Sequence, residues 1–165
     1  MEIQNEFEVK APIETVWNYL LDVQRVAPCM PGAELTEVVD ENTYKGKASV
    51  KLGPVNLSFA GTVVMQERDV AVHKVVMKAE GREQRGKGAA SALVTSTMAA
   101  LDGGTKVSVL ADLTITGAVA QYGRGMVQDI SQRLAQQFAD CLEKNIEAET
   151  AAAGAPAGEP PGGTP

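Results

Sequence analysis

The sequence predicts an α+β fold in which an antiparallel sheet grips one long C-terminal helix, and two patterns carry that prediction. From Tyr122 to Ile146 an apolar side chain recurs every fourth residue, at Tyr122, Met126, Ile130, Leu134, Phe138, Leu142 and Ile146. Gln128, Asp129, Gln132, Arg133, Gln136, Gln137 and Lys144 lie between them. That spacing belongs to a helix with a single apolar face. Residues 33 to 117 alternate instead at period two, as strands do when one face is buried. A sheet with one long helix across its face can enclose a pocket.

The elements follow in order. Ile3 to Lys10 reads as a strand. Ala11-Pro12 then opens a helix, with Pro12 in the first turn, where its missing N–H costs nothing. Ile13, Val16, Trp17, Leu20 and Leu21 give that helix its buried face. Asp22 to Ala27 forms a second short helical turn, stopped by Pro28 and Pro31, and Cys29-Met30-Pro31-Gly32 turns the chain into the sheet. Six strands are predicted at Ala33 to Val39, Thr43 to Leu52, Asn56 to Arg68, Val70 to Glu80, Gln84 to Met98 and Thr105 to Gly117. Asp40-Glu41-Asn42, Gly53-Pro54, Gly81-Arg82 and Asp102-Gly103-Gly104 punctuate them, and only the junction near Asp69 lacks a turn signal. Short turns between successive strands imply an antiparallel meander, since parallel strands would need helices between them.

A chain of 165 residues with 44% apolar composition supports one core. Residues 1–146 form that domain. Residues 147–165 are Ala, Gly, Pro, Glu and Thr without a large apolar side chain, and are expected to be a flexible tail. The net charge is −6, and removing Glu147, Glu149 and Glu159 leaves −3 on the body, a poor match for nucleic acid. No apolar leader opens the sequence and no run of about 18 uncharged apolar residues occurs, so the expectation is a cytoplasmic, soluble chain. Cys29 and Cys141 are far apart in apolar surroundings and are read as buried thiols rather than a disulfide.

Within the last strand, Val107, Val109, Ala111, Leu113 and Ile115 alternate with polar residues, so the odd positions should face the helix. The preceding strand differs: Gly86 to Ala92 reads Gly-Lys-Gly-Ala-Ala-Ser-Ala, so either parity presents tiny side chains. With Gly46, Ala48 and Gly61 on other strands, these leave volume to be filled. Two fillers are open. Large residues such as Phe138, Met126 and Trp17 would make an ordinary core, whereas an apolar cavity would take a hydrophobic ligand.

Catalytic chemistry has no obvious agent. His73, the one histidine, stands in a run of valines, no second histidine completes a metal set, and no nucleophile elbow or phosphate loop is present. Gly123-Arg124-Gly125 fails the dinucleotide pattern. The carboxylate pairs Asp40/Glu41 and Glu67/Asp69 read as solvated turn residues. Lys45, Lys47 and Lys51 share one parity, and Arg82, Arg85 and Lys87 cluster near a hairpin. These either protect an edge strand or meet lipid phosphates or an acidic protein. Arg124 would sit beside Tyr122 near the mouth of any cavity.

Ala11-Pro12 with Val16-Trp17, Cys29-Met30-Pro31-Gly32-Ala33, Tyr44-Lys45-Gly46, Leu52-Gly53-Pro54-Val55 and the run from Gly117 to Arg124 together resemble the carbon monoxide dehydrogenase G-subunit family, within the START-like helix-grip superfamily. The resemblance covers residues 1 to about 146. It implies a curved sheet around the helix with an apolar cavity between them. It also implies a non-catalytic accessory protein linking a molybdenum- and flavin-containing carbon monoxide dehydrogenase to the inner face of the cytoplasmic membrane. Family members continue through a low-complexity linker to a C-terminal membrane-associating segment. Here the linker-like tail is present and no anchor follows, so either the chain continues past Pro165 or it attaches by other means.

The resemblance and the small-residue strand together predict a bound lipid quinone, menaquinone or similar, held non-covalently and presented to the flavin of the dehydrogenase. Burying an isoprenoid tail at ~25 cal/mol per Å² would offset much of the cost of leaving lipid. The expected lining is Gly88, Ala90, Ala92, Phe59 and Leu113, with Gly86, Gly46 and Ala48 adding volume. Tyr122, Met126, Ile130, Leu134 and Phe138 form the lid, and Tyr122 is placed to stack on the ring. The alternatives are a membrane-docking adaptor with a filled core, and an aromatase/cyclase of the same superfamily.

Overall fold

The computed structural model describes residues 1–52, 54–121 and 123–154. Seven strands make one antiparallel sheet: β1 (Glu2–Val9), β2 (Ala33–Val38), β3 (Thr43–Leu52), β4 (Val55–Asp69), β5 (Lys74–Glu83), β6 (Ala89–Leu101) and β7 (Gly104–Thr116). Their order across the sheet is β1-β7-β6-β5-β4-β3-β2, so the meander runs from β2 to β7 and the N-terminal strand joins beside the last. Between β1 and β2 lie α1 (Ile13–Leu21), α2 (Val23–Val26) and a 3-10 turn (Ala27–Cys29). After β7 a second 3-10 turn (Gly117–Gln121) leads into α3 (Arg124–Gly154).

The odd residues of β7 face inward as predicted, with Val107 buried and Val109 packed on the core. That core sits at one end of the grip. Val16 and Trp17 from α1 and Ala139, Leu142 and Ile146 from α3 meet Phe7, Val9, Met65, Val75, Met98 and Val107 from the sheet. Phe138 meets Phe7 edge-on, their centroids 6.0 Å apart, a favourable aromatic geometry.

The apolar stripe of α3 is not buried along its whole length. Leu142 is 0% exposed and Ile146 5%, but Met126 is 42% exposed. Helix geometry accounts for this. At 3.6 residues per turn each four-residue step overshoots by roughly 40°, so a stripe of that period winds around the helix and leaves the sheet at one end. The helix also runs eight residues past Ile146, into the stretch expected to be tail, because Glu147 to Ala153 is rich in good helix formers.

Two turns within the sheet lie elsewhere than the sequence predicts. The β4–β5 turn is Val70–His73, residues expected to open a strand, and His73 takes a left-handed conformation with φ 51°. Contacts from α1 hold it there: His73 Nε2 lies 2.7 Å from Glu14 Oε1, and its ring meets Trp17 edge-on at 5.3 Å. Gly81-Arg82, expected as a turn, lies inside β5. The chain reverses instead between Glu83 and Ala89, where Gly86 and Gly88 have positive φ.

The cysteines are a correction. Cys29 and Cys141 form a disulfide, with Cα atoms 5.4 Å apart. The 3-10 turn that ends at Cys29 brings the corner before β2 against the inner side of α3, and a separation of 112 residues hides that proximity from the sequence. The Asn145 side-chain amide donates to both sulfurs, at 3.2 Å to Cys29 and 3.8 Å to Cys141.

Candidate ligand-binding site

The strand register lines up the small residues. Ile115 pairs with Ala90, Ala90 with Gly81, Gly81 with Gly61 and Gly61 with Gly46, which makes one row of minimal side chains across the inner face of four strands. The next row towards the core is Leu113, Ala92, Ala79, Val63 and Tyr44. At Gly61 the backbone demands the absence of a side chain: a Cβ there would stand 1.9 Å from the Glu80 carbonyl oxygen. The glycine that lets adjacent strands close up also leaves a trough of missing side chains along the inner face of the sheet.

Packed clusters bound this trough at both ends. The main core closes one. At the other, Leu57 and Val119 are buried against Val50, Val55, Phe59, Ile115 and Ile130. Ala90, Ala92, Leu113 and Leu134 lie between, belong to neither cluster, and stay partly accessible.

The predicted site residues divide among these parts. Ala90, Ala92 and Leu113 line the trough, and Leu134 is half-buried on α3. Phe59 and Ile130 belong to the cluster that closes the mouth, Phe138 to the main core, and Met126 is exposed. Tyr122 lies outside the described residues. Gly88 does not line the trough. It has φ 134° in the β5–β6 turn, where a Cβ would stand 2.0 Å from the Thr116 carbonyl oxygen, so its role is a close backbone crossing. Gly81 and Ala79 were missed by sequence reasoning, because their places in the rows depend on register.

Two measurable grooves lie elsewhere. One of about 460 Å³ is lined by Gln4, Asn5, Glu6, Gln132, Ala135 and Gln136 at the seam of β1 and α3. Another of about 410 Å³ is lined by residues that include Leu21, Val38 and Tyr44. Neither contains the predicted lining.

Glu83 organises the mouth. It is 4% exposed, and its carboxylate accepts from the backbone N–H groups of Ser58 at 3.0 Å, Arg85 at 2.7 Å and Lys87 at 3.3 Å. The turn it gathers touches the second 3-10 turn, where the Val119 N–H donates to the Lys87 carbonyl at 3.0 Å. The Ser58 N–H above all, with those of Arg85 and Lys87, holds the carboxyl below its ordinary value of 4.5 against the opposing effect of burial. A depressed folded-state value means that Glu83 stabilises the fold above about pH 4.5 and ceases to do so as the pH falls through the depressed value. Urea unfolding of the Glu83→Gln variant is therefore expected to show a lower midpoint than wild type at pH 7, with the gap narrowing below pH 4.5. A pH-independent gap would contradict this role.

Among the described residues no group of three or more His, Cys, Asp or Glu is placed to hold a metal ion, and no helix is long and apolar enough to cross a membrane.

The sheet, the helix and the trough are those of a helix-grip fold, and the family model for the G subunit of carbon monoxide dehydrogenase, CoxG, matches residues 6–147. The chain belongs to the CoxG family. Solved structures share its fold. A conserved protein from Geobacillus kaustophilus aligns with a TM-score of 0.79 at 20% identity, covering 90% of this chain and 97% of that one. The Zhui aromatase/cyclase from Streptomyces sp. R1128 gives a TM-score of 0.64 at 15% identity, covering 93% and 98%. A START superfamily protein from Mycobacterium smegmatis gives 0.59 at 14%, covering 90% and 98%. Among curated proteins no relative matches. At these identities the structural likenesses establish this CoxG chain's START-like fold alone.

Proposed function

We propose that this CoxG protein is a non-catalytic accessory of carbon monoxide dehydrogenase. In this reading it associates the enzyme with the cytoplasmic membrane and holds a lipid quinone in the trough, where the quinone receives electrons from the dehydrogenase. The observation that carries the reading is the half-buried double row of small and aliphatic residues, Ala90-Gly81-Gly61-Gly46 and Leu113-Ala92-Ala79-Val63, between two packed clusters. A flat ring with an isoprenoid tail suits such a lining, because apolar contact needs no precise hydrogen-bond partner and the missing side chains leave room.

In this assignment Ala90, Ala92, Leu113 and Leu134 hold the apolar body. Ile130 and Phe59 shield it from water at the mouth. A bound quinone supplies a two-electron acceptor; the protein supplies position and dryness. The family supports the dehydrogenase as partner.

A second reading is favoured by the two grooves lying away from the trough: the core is filled by side-chain adjustment, and the protein is a docking adaptor only. Capture and turnover separate the two. Immobilised protein is expected to retain the dehydrogenase and to make carbon monoxide-dependent reduction of membrane quinone depend on its presence. Retention without any effect on quinone reduction would favour the adaptor, and failure to retain the enzyme would refute both.

A further inference from the structure

We infer that the tips of two hairpins, carrying Lys51 and Arg82, Arg85 and Lys87, form a docking surface for an anionic lipid bilayer, so that the mouth of the trough faces the membrane. Charge distribution is the first ground. Residues 49–52, 54–58, 82–89, 117–121 and 123–128 ring the mouth, and within these stretches Glu83 is the one carboxylate in a chain of net charge −6. That carboxylate is buried and occupied by three N–H groups. Lys51, Arg82, Arg85 and Lys87 are exposed and form no ion pair among the described residues, Arg85 alone lying near enough to Glu83 to interact with its charge.

Their mutual placement is the second ground. The Arg85 guanidinium donates to the Asn56 carbonyl at 3.1 Å, which ties the β5–β6 turn to the start of β4 beside the β3–β4 turn. The outward face of β5 continues the cluster, since Arg82 pairs with Ala60 and Ala60 with Lys47. Lys45 and Lys47 are less effective, because they lie across from Glu37 and Glu34 on β2. The far edge of the sheet is acidic on its outer face, with Glu2 opposite Asp112, while Lys106 offsets Glu6 and Glu8. An anionic surface would therefore repel most of the molecule and attract this end, which fixes orientation as well as affinity.

The third ground is what surrounds the charges. Pro54, Ala118, Ala120 and Met126 are exposed around the mouth. Long cations among small apolar side chains suit headgroups and the upper acyl region. The inference concerns the same mouth as the proposed function, and rests on it only for what passes through.

The test is co-sedimentation of the full chain with phosphatidylcholine vesicles, with and without about one-third phosphatidylglycerol. Wild type is expected to bind only the anionic vesicles and to be released at roughly 0.5 M salt, where screening is short-ranged. The Lys51→Glu/Arg82→Glu variant is expected to lose at least roughly twenty-fold in affinity, about fivefold for each cation removed. Lys10→Glu/Lys144→Glu, with the same change in net charge elsewhere, is expected to stay within about threefold of wild type, since both cations lie far from the tips. Equal loss in both variants, no binding by wild type, or a tip variant that keeps its vesicles but no longer captures the dehydrogenase would each overturn the inference. Quinone content is measured in the same samples. Vesicle binding without quinone would refute the ligand while leaving the docking surface standing, and quinone without vesicle binding would do the reverse.

Discussion

Reducing the Cys29–Cys141 disulfide, or replacing both cysteines by Ser, is expected to lower the free energy of unfolding by about 4.7 kcal/mol. The bond spans 112 residues, and the chain entropy that a cross-link of that size removes from the unfolded ensemble has that magnitude. For a domain of this size the loss corresponds to a fall in Tm of roughly 10–20 °C. Thermal melts with and without reductant check this. Coincident melts would mean that the cross-link does not constrain the unfolded chain in solution.

Ala90→Phe is expected to abolish quinone binding while leaving the fold nearly as stable. Ala90 lies between Ile115 and Gly81 in the row of smallest side chains, so an added phenyl ring projects into the trough rather than into a packed neighbour. A filled core would respond oppositely, because overpacking typically costs about 1–3 kcal/mol. Denaturant midpoints and ligand titration of one variant read both outcomes. A stability loss of that size with no ligand to lose would favour the adaptor.

The architecture was legible because the periodicities are strong. Thr43–Leu52 appears with the predicted bounds, and the inward parity of β7 follows from its alternation alone. The β4–β5 turn was not legible, because Val70-Ala71-Val72-His73 has no turn chemistry of its own and is held by Glu14 and Trp17. Gly81 misled for a related reason. It reads as a turn glycine, yet it lies inside β5 between Gly61 and Ala90, a place that only the strand register sets.

The candidate site was half legible. Small residues from Gly86 to Ala92 signal missing volume in any register, but which glycine of another strand stands opposite each alanine depends on pairing that the sequence does not carry. That is why Gly88 was assigned to the lining and Gly81 and Ala79 were not. The lid is less regular than its spacing suggests, since a four-residue stripe winds around the helix and leaves Met126 exposed. The disulfide depends on tertiary proximity across 112 residues, and no local pattern announces it.

The proposed function turns on a lipid quinone held in the trough. Native mass spectrometry of the protein purified from quinone-containing cells, followed by solvent extraction, tests it most directly. A stoichiometric adduct that releases a prenyl-quinone on extraction is expected. An apo mass that stays unchanged on adding menaquinone would contradict it, leaving a docking adaptor whose interior is core.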